Sequence, residues 1–278
     1  MKANKIIVIN SIILSIFSNN TLADKHSLSD KIIGPMYGLW SIAVTVKNSQ
    51  FKAVDNQASA TPLIFGGYGP IFIEANRFGY NFYRDGTYFS SLIGNIRSHS
   101  KLSKADINSS DFLQQYDLEE RKSSFEAGIQ VGRRFDSGWV GRIAVLHDIS
   151  STHKGQEAEI TFYRRDSFKP FSSFNSLRLL TTFGLQSQSQ DLNDYYYGID
   201  NSELTLGNQK AYQAEPGWSA EVEFIATYDF NWQSTTEQKK WGIYAGLRHY
   251  QFSDTISNSP IVASGLVQQY FIGLGRYF

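Results

Sequence analysis

Trp218-Ser219-Ala220-Glu221-Val222-Glu223-Phe224-Ile225-Ala226-Thr227-Tyr228-Asp229-Phe230 sorts by parity. Trp218, Ala220, Val222, Phe224, Ala226, Tyr228 and Phe230 fall on one face. Ser219, Glu221, Glu223, Ile225, Thr227 and Asp229 fall on the other. A strand sends successive side chains to opposite faces, so a period of two predicts a strand. A helix would scatter these charges round its circumference.

The same period recurs on both sides of this stretch. Phe125, Ala127, Ile129 and Val131 alternate with Glu126, Gly128, Gln130 and Gly132. Ala158, Ile160 and Phe162 alternate with Glu157, Glu159, Thr161 and Tyr163. Leu177, Leu179, Phe183 and Leu185 lie opposite Ser176, Arg178 and Gln186. Trp241, Ile243, Ala245 and Leu247 alternate with Gly242, Tyr244, Gly246 and Arg248. Further strands are predicted over Tyr37–Val46, Pro62–Gly66, Pro70–Ala75, Phe78–Tyr83 and Tyr88–Ile96. The composition agrees: 15% of residues are aromatic and 22 are Gly, with 6 Pro, a balance that favours β-structure.

A soluble sandwich alternates too, with its polar face in water; a membrane barrel turns its apolar face to lipid and its polar face to the lumen. Three features favour the barrel. The polar faces mix signs, with Glu126, Arg142, Glu159, Arg178, Glu221, Glu223 and Arg248 as the expected lumen-lining residues and Glu157 on the same face as Glu159. Aromatics gather at strand ends (Trp40, Trp139, Trp218, Phe230, Trp232, Trp241), where interfacial girdles belong. The last strand runs to the final residue, with Tyr270, Ile272, Leu274 and Phe278 on one face and Gly273 and Gly275 opposite. The terminal pattern resembles the signal by which outer-membrane barrels are recognised for assembly, carried by Tyr270, Gly273, Leu274 and Phe278. Arg276 stands where such signals place an aromatic, and Tyr277 is one position out of phase. The expected fold is an all-β transmembrane antiparallel up-and-down β-barrel of 12 strands, or 10 if two N-terminal runs are mis-split, by the segments above.

The start of the chain reads differently. Lys2 and Lys5 precede an apolar run from Ile6 to Phe17, and Thr21-Leu22-Ala23 fits a cleavage site. This is the three-part pattern of a secretory signal, and the run falls short of the ~20 apolar residues of a membrane helix. Residues 1–23 are expected to be removed, leaving a barrel of residues 24–278 in the outer membrane. The whole chain carries 26 basic and 26 acidic residues, and loss of the two lysines makes the mature form slightly acidic. That balance argues against binding nucleic acid through its phosphates. There is no cysteine, so no disulfide framework and no thiolate metal site.

Loop lengths set the topology, because outer-membrane barrels have short periplasmic turns and longer external loops. Arg84-Asp85-Gly86 and Asp136-Ser137-Gly138 are tight turns. The long polar stretches are Ser98–Lys122, Gln186–Pro216 and Ser253–Ser264. With these outside, Phe278 lies on the periplasmic side, facing the barrel assembly machinery, and the outer face of the wall meets outer-membrane lipid.

Several stretches resemble the MipA/OmpV family of MltA-interacting outer-membrane proteins. They are Thr61-Pro62-Leu63-Ile64, Pro70-Ile71-Phe72-Ile73-Glu74, Phe78-Gly79-Tyr80-Asn81, Phe125-Glu126-Ala127-Gly128, Asp194-Tyr195-Tyr196-Tyr197-Gly198-Ile199 and Ser259-Pro260-Ile261-Val262, followed by Phe271-Ile272-Gly273-Leu274-Gly275. The similarity runs from about residue 35 to the end. The resemblance implies a scaffold that brings a lytic transglycosylase together with a penicillin-binding protein. Other members are surface proteins, adhesins or permeability determinants.

The residues themselves suggest no catalysis. The five His have no metal-ligand spacing. His147-Asp148 near Ser150 could suggest a hydrolase rim, but neighbouring strand residues point apart. Gly66-Gly67-Tyr68-Gly69 lacks the Lys and helix of a phosphate loop and reads as a tight turn. Tyr195–Tyr197 suit either an outer contact patch or an aromatic girdle. Arg133-Arg134 and Arg164-Arg165 suit lipid headgroups or a docking partner. No cofactor, metal or catalytic residue is expected, and mixed lumen charges should leave at most a narrow channel for small solutes.

Overall fold

A computed structural model describes residues 37–98, 100–168, 177–230 and 241–278. Among these, twelve strands form one closed barrel: β1 (Tyr37–Lys47), β2 (Gln57–Tyr68), β3 (Ile71–Glu74), β4 (Arg77–Arg84), β5 (Tyr88–Arg97), β6 (Ser124–Arg134), β7 (Trp139–Asp148), β8 (Gln156–Phe168), β9 (Leu177–Gln188), β10 (Gly217–Phe230), β11 (Trp241–Gln251) and β12 (Leu266–Tyr277). Each pairs antiparallel with its neighbours in sequence, and β12 returns to pair with β1 from Leu39↔Tyr277 to Lys47↔Gln269. Closure leaves no free edge along that seam. The proposed cleavage region and Trp232 lie outside the described residues.

The parity read from the sequence becomes inside and outside. On β10, Ser219, Glu221, Glu223, Ile225 and Thr227 are buried, while Trp218 and Phe224 are exposed. Ile42, Val44, Leu92, Ile129, Ile143, Val145 and Ile272 are each at least half exposed on the outer wall. Apolar side chains outside and polar ones inside are the arrangement a bilayer demands. The lumen also holds an apolar layer of Leu39, Leu63, Phe65, Leu180, Ile225, Tyr244 and Phe271.

Twelve strands rather than ten follow because β2, β3 and β4 are separate, although β3 has only 4 residues. The run expected at Pro62–Gly66 is the middle of a 12-residue strand. Its first half, Gln57-Ala58-Ser59-Ala60, consists of small and polar side chains with weak strand preference, so pattern alone does not extend it. The Gly66–Gly69 turn is likewise corrected: Gly66, Gly67 and Tyr68 complete β2, and only Gly69 turns the chain, at φ 57°. The two expected tight turns carry Gly86 and Gly138 at φ 92° and 83°, a region that costs a side chain dearly and glycine little. In the first of them Asp85 accepts from the backbone N–H of Tyr88 (2.7 Å) and Thr87 (2.9 Å) and from the Tyr83 hydroxyl (2.7 Å). Those donors hold the Asp85 carboxyl below the usual carboxylate range.

The long stretches are not merely polar loops. Residues 48–56, 100–123, 189–216 and 252–265 all lie at the same end of the barrel and fold over it. They carry α1 (Lys104–Asn108), α2 (Gln190–Tyr197) and α3 (Asp254–Ser257). Ser103 and Asp106 start α1 with a reciprocal capping box, which satisfies otherwise orphaned N–H groups. Between the segments lies an apolar core of Phe51, Leu102, Leu113, Leu192, Tyr196, Tyr197, Ile199, Phe252, Ile256 and Ile261. This folded lid, here called the cap, closes the mouth opposite Phe278.

Candidate functional site

Below the cap the lumen is crossed by ion pairs. Arg97, on β5, is 1% exposed; its Nε lies 2.6 Å from Glu126 Oε1 on β6, and its Nη2 lies 2.9 Å from Glu157 Oε1 on β8. Glu126 also accepts from Asn95 Nδ2 at 2.7 Å and lies 3.3 Å from His153 Nε2. Arg77 of β4 reaches Glu159 of β8 at 2.7 Å, and Arg142 of β7 lies 3.6 Å from Glu74 of β3. Apart from Arg97–Glu126, on the paired strands β5 and β6, these ion partners sit on strands that are not neighbours, so the pairs Arg97–Glu157, Arg77–Glu159 and Arg142–Glu74 span the interior as chords. On the other wall Arg248 bonds Glu223 at 2.7 Å and lies 3.5 Å from Glu221. Near the Phe278 end Arg178 bonds Asp229 (2.7 Å) and the Tyr277 hydroxyl (2.5 Å), while that hydroxyl meets Asp229 at 2.7 Å.

Of the seven expected residues, Glu126, Arg142, Glu159, Glu221, Glu223 and Arg248 are buried, and Arg178 is held by Asp229 and Tyr277. Arg97, Glu74 and Arg77 complete the network and escape the sequence reading. The strand expected over Tyr88–Ile96 stops one residue before Arg97, and extending the Ser91, Ile93, Asn95 parity by one step finds it. Glu74 and Arg77 flank a two-residue turn, where no alternation survives. Arg142 and its neighbours cross an interior with buried, paired charge, an arrangement that is costly unless every partner is present.

The final strand shows what its unusual residues do. Tyr270, Ile272, Leu274 and Phe278 face outward, while Gly273 lies beneath the Tyr244 ring inside. Gly38 and Phe278 exchange backbone hydrogen bonds at 3.1 and 3.0 Å. The Phe278 ring covers Gly38 so closely that a Cβ there would sit 2.4 Å from it, so β1 needs glycine at the seam. Arg276 is the register partner of both Trp40 and Trp241. Those two indoles meet edge to face at 6.0 Å, and the Arg276 guanidinium lies 5.9 Å from the Trp241 ring. Neighbouring strands thus supply the aromatics that the terminal sequence lacks at this position. Tyr277 points inward to Arg178 and Asp229.

Other candidates separate by parity. Arg133 lies outside, 5.4 Å from the Tyr88 ring and 5.2 Å from the Phe135 ring, and Arg164 pairs with Asp166 at 2.7 Å. Arg134 and Arg165 alternate to the lumen side. The tyrosine run is neither an exposed patch nor a girdle: Tyr196 and Tyr197 are fully buried in the cap. Tyr196 donates to Lys122 O (3.1 Å), and Tyr197 donates to Ser100 Oγ (3.0 Å). Burial pushes the Tyr196 hydroxyl up to about 12 and raises Tyr197 as well. Asp148 organises the β7–β8 loop, accepting from the N–H of Ser150, His153 and Lys154, whereas His147 is exposed on the opposite face.

The sequence model of the family described as "MltA-interacting protein MipA" matches residues 41–278. The chain belongs to that family. MipA-family relatives include outer membrane protein Omp26La of Vibrio anguillarum, 23% identical, and OmpV of Vibrio cholerae, 23% identical, each over 93% of both chains. MltA-interacting protein of Escherichia coli is 25% identical over 52% of this chain and 53% of its own. Among solved structures, the β domain of the Bordetella autotransporter BrkA covers 88% of this chain and 100% of its own at 8% identity, with a TM-score of 0.38, a loose likeness. This MipA-family barrel is an outer-membrane protein.

Proposed function

We propose that the protein is a non-enzymatic scaffold that works through its surfaces, holding peptidoglycan-remodelling enzymes beneath the outer membrane. The observation that carries the reading is the double closure of the interior. The cap folds over one mouth, and the chords Arg77–Glu159, Arg97–Glu157 and Arg142–Glu74 cross the lumen below it. A barrel closed in this way offers partners its faces rather than a conduit. The name of the MltA-interacting relative supports a lytic transglycosylase as one partner, and the family resemblance adds a penicillin-binding protein. In this reading residues 1–23 are a removed signal, the assembly machinery reads Tyr270, Gly273, Leu274 and Phe278, the cap faces outward and Phe278 faces the periplasm.

Crosslinking in intact envelopes, followed by identification of the captured proteins, tests it. Recovery of a lytic transglycosylase on the Phe278 side is expected. Recovery of no murein enzyme, together with a steady open current in planar bilayers, would replace the scaffold by the narrow solute channel. Capture only of external ligands through the cap would favour the adhesin.

A further inference from the structure

The wall of the barrel has a notch beside β2. The β2–β1 pairing continues up to Gln57↔Lys47, whereas the β2–β3 pairing stops at Phe65↔Glu74. The last bond across that seam runs from Ala75 N–H to Ile64 O, at 2.9 Å. The chain then turns through Asn76 into β4, leaving β2 to rise seven residues, 57–63, without a neighbour on that side among the described strands. Because the Ile64 carbonyl faces β3, every second residue above it presents its backbone to the same edge. Those residues are Pro62, Ala60 and Ala58.

The depth of this edge matters. Its partners across the β1 seam are Ile42, Val44 and Val46, all outward and about half exposed, so the edge lies within the apolar belt. Open backbone at that depth is tolerated only where something polar or proteinaceous meets it. Strand addition by a protein is the familiar way to fill such an edge, and Pro62 opposes it by removing one donor in the middle of the row. What remains is two donors, the N–H groups of Ala58 and Ala60, about 7 Å apart along the strand. Outside the notch are the apolar surfaces of Ile64, Val46, Phe78 and Ile96. Inside are the buried polar side chains of Thr61, Asn76 and Asn95, with Asn76 Nδ2 donating to Asn95 Oδ1 at 2.9 Å. An occupant must be apolar outward, polar inward and rich in acceptors near the boundary. The alanines leave room for it against the backbone.

We propose that the notch seats one diacyl lipid of the surrounding bilayer, whose two acyl ester carbonyls accept hydrogen bonds from the N–H groups of Ala58 and Ala60. The chains run down the outer face past Ile64, and the polar head lies above Ala58, at the Gln57 end of β2. The cap blocks the axial route to this place, so the lipid enters sideways.

The test uses the full-length barrel in nanodiscs of palmitoyl-oleoyl phosphatidylglycerol, extracted and stripped stepwise, with retained lipid read by native mass spectrometry. One lipid per chain should survive stripping. Ala58→Pro and Ala60→Pro remove the two donors while sparing the β1 pairing, as Pro62 already does. Each should lower retention about fivefold, which is ~1 kcal/mol per lost bond. Heat-modifiable migration on gels confirms that each variant is a closed barrel; if either proline unfolds it, ether-linked phosphatidylglycerol replaces the variant, since it keeps the head and lacks the carbonyls. Equal retention of ester and ether lipid, or a wild-type chain stripped bare, overturns the proposal. So does a co-purified protein that occupies the β2 edge.

Discussion

Arg97 shows how much one side chain can decide. It is fully buried and joins two carboxylates from different strands, Glu126 and Glu157. Removing one member of a buried ion network leaves the others charged, desolvated and unpaired, at a cost of about 3–5 kcal/mol. Arg97→Met should therefore lower the free energy of unfolding by about that amount, measured by urea titration of the refolded barrel in detergent. Adding Glu126→Gln and Glu157→Gln to it should recover part of the loss, because the stranded charges go with the arginine. A single variant as stable as wild type would show that water already solvates this part of the lumen. The residue scale is also where sequence reading is least complete. Alternation assigns Glu126 and Glu223 to the interior without structural help, since parity is a local property. It cannot say that Arg77 meets Glu159, because their contact depends on three intervening strands and the curvature of the wall.

At the scale of elements, strands are more legible than the cap. Strands of the middle and C-terminal part announce themselves because each must be apolar on the lipid side and polar on the other. Ala58 and Ala60 weaken that contrast in β2, and β3 is too short to establish a period. The cap segments have no contrast at all: their apolar residues are spaced irregularly and find one another only when four separate loops converge. Tyr195–Tyr197 are the clearest instance, a run that reads as a surface feature and ends as the hub of that convergence. Their ionisation gives a prediction. Burial raises Tyr196 to about 12, above the ~10 of an unfolded tyrosine. A group raised in this way lends its full stabilisation below the unfolded value and loses it as pH rises through the folded one. The cap should therefore stay packed to about pH 10 and loosen between about 10 and 12. Tyrosinate absorbance should appear in that window with loss of near-ultraviolet dichroism, while strand dichroism persists. Ionisation of all cap tyrosines near pH 10 would show that Tyr196 is open to solvent.

The whole molecule is sealed twice, and the two seals differ in their chemistry. One is apolar packing of loops around Tyr196 and Tyr197; the other is charge pairing between facing walls. They touch at His153, which lies 3.3 Å from Glu126 and 5.7 Å from the Tyr196 ring, yet packing and charge fail differently, so defects in them should not be equivalent. Tyr197→Ala removes a fully buried ring from the cap core and should loosen the cap by about 3–5 kcal/mol. In planar bilayers that variant should still carry no steady current, because Arg77–Glu159 and Arg142–Glu74 continue to span the lumen. Arg77→Ser with Glu159→Ser alone should also stay closed, under an intact cap. Only Tyr197→Ala combined with serine at both ends of all three chords, Arg77–Glu159, Arg97–Glu157 and Arg142–Glu74, should open a conducting state. Current through Tyr197→Ala by itself would mean that the cap is a gate over a passable lumen, and the scaffold reading would then give way to regulated permeation. Silence from the combined variant would mean that the apolar layer of Leu63, Phe65, Leu180 and Phe271 is a third seal, and that the interior of this barrel is built as a core.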